Sequence, residues 1–224
     1  MNSFLDWQGI DTVLLDMDGT LMDLGFDNFF WHEFLPERYA QLHGLALEPV
    51  KADLIARYRA KSGSLQFYCT DYWSAELGLD IVSMKHEVDE RIQLFPLVTD
   101  FLMWLRDSGK RVVLCTNAHL DIVEIKMAKT GISHHFDRII SSHSYGHAKE
   151  SQQFWEQLQQ DEKPNLKRTL LVDDNVHVLS AAKQYGVAHL ISIWQPDSTE
   201  PVQDTAGFAA INDFSELVPE LRAV

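Results

Sequence analysis

Two aspartates spaced two apart, Asp16 and Asp18, end the apolar run of "TVLLDMDGTL" (Thr12 to Leu21), and Gly19 and Thr20 follow at once. A second pair, Asp173 and Asp174, ends the apolar run of "LLVDDN". Between them "RVVLC" runs into Thr116 and Asn117, and Lys149 stands in "HAKES". Four carboxylates cannot all stay ionised in one dry cleft without compensating positive charge. An oxygen-rich cluster suits Mg²⁺ better than zinc, and Mg²⁺ with few protein ligands completes its shell with water and substrate phosphate. Lys149 adds positive charge for phosphoryl oxygens, and Thr116 and Asn117 can donate hydrogen bonds to the same group. This is the equipment of phosphoryl transfer, where positioning and charge stabilisation supply most of the catalysis.

The spacing of the first pair fits that chemistry. Asp16 can attack phosphorus as an ionised nucleophile and give an aspartyl phosphate. Asp18, on the other side of the phosphoryl group, can protonate the leaving oxygen and later take a proton from water. Gly19 permits the tight turn that swings Asp18 round, and Thr20 can tie that turn by a side-chain hydrogen bond.

Residues so far apart in the chain meet only if the fold gathers them. Candidate strands are Thr12–Asp16, Arg111–Cys115, Arg138–Ser141, Thr169–Asp173 and His189–Ile193. Helical patterns alternate with them at Thr99–Ser108, His119–Thr130, Ser151–Gln160 and Val176–Tyr185, the last with Gly186 as a C-terminal stop. Such alternation predicts an α/β fold whose parallel sheet is covered on both faces. Ligands of open α/β sheets bind beyond the carboxyl ends of the strands, where all the residues above would lie, with Lys149 opening the helix after the third strand. From Met22 to about Arg91 the rhythm breaks into four helical patterns, Asp27–His43, Pro49–Ala60, Leu65–Leu77 and Ile81–Gln93, before "LFPLV" carries the chain back. The expected organisation is a catalytic core of residues 1–21 and 95–224 and a helical cap of residues 22–94. Residues Gln195–Gly207 read as a surface loop before a last helix.

Composition narrows the partners. The 224 residues are 46% hydrophobic, enough for one sizeable core and a small accessory domain. A net charge of −14 argues against nucleic acid and anionic membranes as partners, but not against a small phosphorylated metabolite approached through a metal ion. Two cysteines without metal-ligand spacing, no basic leader and no apolar run of membrane length fit a reducing, cytoplasmic setting.

"DMDGTL", the run ending in "CTN", Lys149 and "LLVDDN" together resemble, in order, the four motifs of the haloacid dehalogenase (HAD) superfamily. The helical insertion is similar to that superfamily's C1-type α-helical cap on a Rossmann-like core. The resemblance implies Asp16 as nucleophile, Asp18 as acid/base, and Thr116 and Lys149 on the phosphoryl group. It also implies Mg²⁺ held by Asp16, the Asp18 carbonyl and Asp174, with Asp173 behind them or in place of one. Dehalogenases lack the second aspartate, so phosphatase chemistry is implied. "FDNFFW", "YCTDYWSAELGLDI", "TNAH" and "INDF" resemble the bacterial GMP/IMP 5'-nucleotidase branch, which implies purine 5'-monophosphates as substrates. A sugar-phosphate or phosphoglycolate-type phosphatase, a phosphomutase, and a non-enzymatic phospho-dependent switch are the alternatives.

Other readings of the aspartates fare worse. A calcium-binding EF-hand loop starting at Asp16 would need glycine where Leu21 stands. A receiver domain places its paired acids early and its lysine last, the reverse of the order here. The aromatics of the insertion, Phe26 to Phe34 with Tyr68, Tyr72 and Trp73, divide between core and cleft. Asp23, Asp27, Asn28 and Asp71 are candidates to read a leaving group, and Arg57, Arg59 and Lys61 read as a solvated face.

Overall fold

The structure, a computed structural model, describes residues 5–218 together with 220 and 221. Strand β1 (Thr12–Leu15) leads into a helical segment. It comprises α1 (Gly25–Phe29), one wide π turn at Phe30–Phe34, α2 (Leu35–His43), α3 (Leu47–Lys61), α4 (Thr70–Leu77) and α5 (Ile81–His86). The chain then alternates through α6 (Val98–Asp107), β2 (Arg111–Thr116), α7 (Leu120–Thr130), β3 (Arg138–Ser141), α8 (Gln152–Asp161), β4 (Thr169–Val172), α9 (Val176–Tyr185), β5 (His189–Ile193) and β6 (Ala210–Ile211). All six strands are parallel, in the order β3-β2-β1-β4-β5-β6.

The strands are mostly apolar, with the polar residues chiefly at their ends, because helices cover both faces. Val13 and Leu15 join Val112, Leu114, Leu170 and Val172 in the core that continues into the helical segment. Leu14, pointing the other way, meets Val113, Cys115, Leu171 and the Phe154–Trp155 pair of α8. Period-two alternation therefore separates two apolar layers rather than apolar from polar. The helices show the complementary spacing: Val98, Phe101, Leu102 and Leu105 bury one stripe of α6.

Chain order reverses at β1. From it the chain proceeds to β2 and β3 on one side, then crosses to β4, β5 and β6 on the other. The carboxyl end of β1 is thus the topological switch point, flanked by the ends of β2 and β4.

Several expectations need correction. Asp16 and Asp173 lie just past β1 and β4 rather than in them, although Asp16 N–H still donates to Val172 O at 3.0 Å. The helix expected over Leu65–Leu77 breaks at Cys69, whose extended backbone and sulfur, accepting from Tyr72 N–H at 3.4 Å, start α4 afresh. The helix expected to reach Gln93 stops at His86. Lys149 sits in a turn before α8, not at its first residue. After the loop at 195–207 the chain adds β6 and a single 3₁₀ turn, Phe214–Glu216, where a last helix was expected; Pro219 and residues 222–224 lie outside the described residues. Among the described residues no helix is long and apolar enough to cross a membrane.

The helical segment leaves and rejoins the sheet at one place. Met22 bridges Leu94 in antiparallel fashion, Asp23 N–H donates to Gln93 O at 3.0 Å, and Phe95 N–H donates to Leu21 O at 3.0 Å. The loop after β5 supports this crossing: Leu24 N–H donates to Pro196 O at 2.9 Å and Asn28 Nδ2 donates to Asp197 Oδ2 at 2.7 Å.

Candidate active site

At the switch point the sequence-predicted residues converge. Asp16, Asp173 and Asp174 bring carboxylate oxygens within 4.8 Å of one another. Lys149, 2% exposed, binds Asp16 Oδ1 and donates to Asp173 Oδ2 at 2.7 Å and to Cys115 O at 2.9 Å. Burial opposes its charge, but the two carboxylates outweigh it and keep Lys149 protonated. Asp173 is fully engaged, since its Oδ1 also accepts from Asn175 N–H at 3.0 Å.

Among the described residues no ammonium pairs directly with Asp174, although the charge of Lys149 reaches it. Burial, then the charges of Asp16 and Asp173, push its carboxyl well above the usual carboxylate range. Burial likewise raises Asp16 to about 6, against the pull of Lys149. A carboxylate cluster short of one cation is what a hard divalent ion would complete, so the residues fit Mg²⁺. Asp16 Oδ2 and the Asp174 carboxylate are the oxygens left for such an ion, since Lys149 takes Asp16 Oδ1 and Asp173 is engaged at both oxygens.

Gly19 makes that arrangement possible. Its φ of +80° is the left-handed region, and a Cβ there would stand 2.7 Å from Asp174 Oδ2. Thr20 ties the turn differently than expected: its Oγ1 accepts from Asp174 N–H at 3.1 Å, stitching the first motif to the last.

Thr116, buried at the end of β2, accepts from Ala118 N–H at 3.0 Å and keeps its hydroxyl hydrogen for another acceptor. Asn117 does not offer its side chain to a phosphoryl group as expected. Its Oδ1 accepts from Lys149 N–H at 2.9 Å and its Nδ2 donates to Glu150 Oε2 at 3.0 Å, so it positions Lys149 instead. Trp155 Nε1–H, donating to Lys149 O at 2.8 Å, secures the same turn.

Asp18 turns away from the acid cluster. Its Oδ1 pairs with Lys126 of α7, which also pairs with Asp27 of α1, and Asp27 in turn pairs with Lys85 of α5. Both lysine side chains are 2% exposed. Burial raises Asp18 to about 6 despite Lys126. Burial also acts to raise Asp27, but Lys126 and Lys85 together hold it far below the usual carboxylate range. Asp27 is therefore an ion-pair partner rather than a reader of a leaving group. Lys126 and Lys85 escape a sequence reading because an isolated lysine is ordinarily solvated. The available signal is phase: Lys126 continues the buried stripe of Ile122 four residues on, and Lys85 follows Ile81 in the same way.

From Asp16 a cavity of about 320 Å³ extends toward the helical segment. Its far wall is aromatic: Trp31, Tyr58 and Trp73 meet edge to face, with centroids 5.0–6.0 Å apart. Tyr58 Oη and Thr70 Oγ1, on the same wall, are buried without a hydrogen-bond partner among the described residues. Tyr68 Oη crosses to the sheet side, donating to Glu150 Oε1 at 2.6 Å. Of the other candidates, Asp23 accepts from Gly25 N–H at 2.9 Å, Asp71 lies exposed near His119, and Arg57 and Lys61 pair with Asp53 and Gln66 on the surface.

Residues 10–186 match the family model of the haloacid dehalogenase-like hydrolases. The chain is 37% identical over 221 residues to the GMP/IMP nucleotidase YrfG of Escherichia coli (strain K12), covering 99% of this chain and all of that one. Among solved structures it resembles an HAD phosphatase from Thermococcus onnurineus, with a TM-score of 0.77 at 18% identity over 95% of this chain and 98% of that one. A putative beta-phosphoglucomutase from Thermotoga maritima gives 0.67 at 17% identity over 96% and 100%. At such identities these two likenesses speak for the fold alone. Four motifs at one switch point, a family match over most of the chain and a full-length relative agree: the chain belongs to the haloacid dehalogenase-like hydrolase family and is a phosphoric monoester hydrolase.

Proposed function

We propose that this enzyme hydrolyses purine nucleoside 5'-monophosphates, IMP and GMP, to nucleoside and phosphate through an aspartyl-phosphate intermediate. The observation that carries the reading is the two-ended cavity. One end holds the carboxylates, Lys149 and Thr116; the other is an aromatic wall with two unpartnered hydroxyls. A phosphate fits the first, and a flat base with polar edges fits the second. The full-length likeness to a GMP/IMP nucleotidase supports the same substrate class.

Asp16 and Asp174 would hold Mg²⁺, which neutralises phosphoryl oxygens when bound. Lys149 and Thr116 grip the same oxygens. Asp16 attacks phosphorus, the ester P–O bond breaks, and protonated Asp18 gives its proton to the departing 5'-oxygen. A carboxyl near 6 is suited to both halves of that task close to neutral pH. Water then attacks the aspartyl phosphate, Asp18 takes its proton, and Asp16 is freed as phosphate leaves. Residues 22–94 act as a cap that shuts over the leaving group and reads it, on a core of 1–21 and 95–224. Free Cys69 and buried Cys115 support a reducing, cytoplasmic setting.

The test is phosphate release with Mg²⁺ across nucleotides, sugar phosphates and phosphoglycolate, with Asp16→Asn as control. Preference for IMP and GMP, abolished in the control by on the order of 10³-fold or more, is expected. Preference for sugar phosphates would discard the nucleotide assignment while keeping the chemistry. Release that stops near one equivalent would indicate a phospho-dependent switch.

A further inference from the structure

A second cluster of ligating side chains lies at the seam between the helical segment and the sheet. Cys69 precedes α4, His119 precedes α7, and His143 follows β3, yet each offers a ligand atom within 4.8 Å of the other two. The two imidazoles meet edge to face with ring centroids 4.7 Å apart. Among the described residues His143 Nε2 is buried with no hydrogen-bond partner, and His119 Nδ1 meets only the Asp121 carboxylate, 3.2 Å away and outside hydrogen-bonding geometry. Buried polar atoms are ordinarily partnered, and a partnerless imidazole nitrogen in a cluster with a thiol and a second imidazole is an unmet demand for a ligand.

We propose that Cys69, His119 and His143 form a binding site for a borderline-soft divalent cation of the zinc class, and that filling it bolts the helical segment to the core. One sulfur and two imidazole nitrogens are the donors such an ion selects, whereas the all-oxygen cluster at Asp16 suits Mg²⁺. From separations within 4.8 Å the ligand atoms need to close by at most about 1.5 Å to reach the ~3.3–3.7 Å edges of a tetrahedral site. Cys69 Sγ gives up only a long contact with Tyr72 N–H, 3.4 Å, to do so. Because Cys69 comes from the segment and both histidines from the sheet side, the ion would resist any movement that parts them.

The test uses Co²⁺ as a spectroscopic probe on the whole protein, with excess Mg²⁺ occupying the oxygen cluster. One equivalent giving a thiolate-to-cobalt charge-transfer band and tetrahedral d–d absorption is expected. Cys69→Ser, which keeps an N-terminal cap for α4, should lose the charge-transfer band, and His143→Gln should weaken binding about tenfold or more. Under the same Mg²⁺ excess, Zn²⁺ should inhibit the parent enzyme, and each variant should need at least about tenfold more. The inhibition arm rests on the proposed phosphatase activity; the spectral arm does not. No charge-transfer band in the parent, or a spectrum unchanged in both variants, overturns the site. Thiolate binding without inhibition overturns the bolt.

Discussion

Asp18 owes its place to a residue from a helix more than a hundred positions away. The proposed acid/base is held by Lys126, whose other partner is Asp27; the Lys126 side chain is 2% exposed and those of Asp18 and Asp27 21% and 15%. Breaking a buried pair by removing one member costs about 3–5 kcal/mol, because the partner's charge is left uncompensated. Lys126→Met should therefore free Asp18 to turn, lowering kcat on the order of 10²-fold with KM little changed. Lys126→Arg, keeping the charge, should retain more of the rate. A loss confined to KM would show instead that Lys126 serves binding. Three of the four motif regions stood out in the sequence because Asp16, Thr116 and the Asp173–Asp174 pair each follow an apolar run, whereas Lys149 stands in the polar stretch "HAKES" and was picked out only by the order of the motifs. Asn117 was misjudged because a strand-end amide can face a ligand or a neighbouring backbone, and only the fold shows that Lys149 N–H takes it.

At the scale of elements, Asp27 joins three helices: it belongs to α1 and binds Lys85 of α5 and, through Lys126, α7. Its carboxyl lies far below the unfolded value of about 4, so the ionised form favours the folded state. That stabilisation is complete above about pH 4 and is lost as pH falls further toward the folded value. Thermal unfolding between about pH 6 and pH 3 should show a fall in midpoint that Asp27→Asn flattens, at the cost of lower stability near neutrality. An equally steep fall in the variant would rule out this latch. Five of the six strands were legible within about a residue, since buried parallel strands announce themselves as apolar runs. Ala210–Ile211 was not, because two residues among loop formers carry no period. The break at Cys69 was hidden for a different reason: the residues on both sides are adequate helix formers, and the cap is a sulfur.

For the molecule as a whole, the acid cluster is a burden until a cation arrives. Asp174 is forced upward by burial and by two like charges, so a neutral side chain there should relieve the fold. Metal-free Asp174→Asn should melt no lower than the metal-free parent. Mg²⁺ at a hundredfold excess over its dissociation constant should stabilise the parent by about 2.7 kcal/mol, or about 5–10 °C in Tm, and leave the variant nearly unmoved. Differential scanning with and without Mg²⁺ separates the cases; an equal rise in both would place the ion elsewhere.

The crossing at Met22 and Leu94, finally, bears on how such an enzyme can change its trade. Five helices depart from the sheet and come home at neighbouring residues, so the strand order is indifferent to what lies between. A segment tethered at one doorway can be lengthened, trimmed or exchanged while every strand keeps its neighbours and every motif its position. Under the proposed division into core and cap, phosphate removal would be a fixed chassis, and a new substrate would need only that one module refitted.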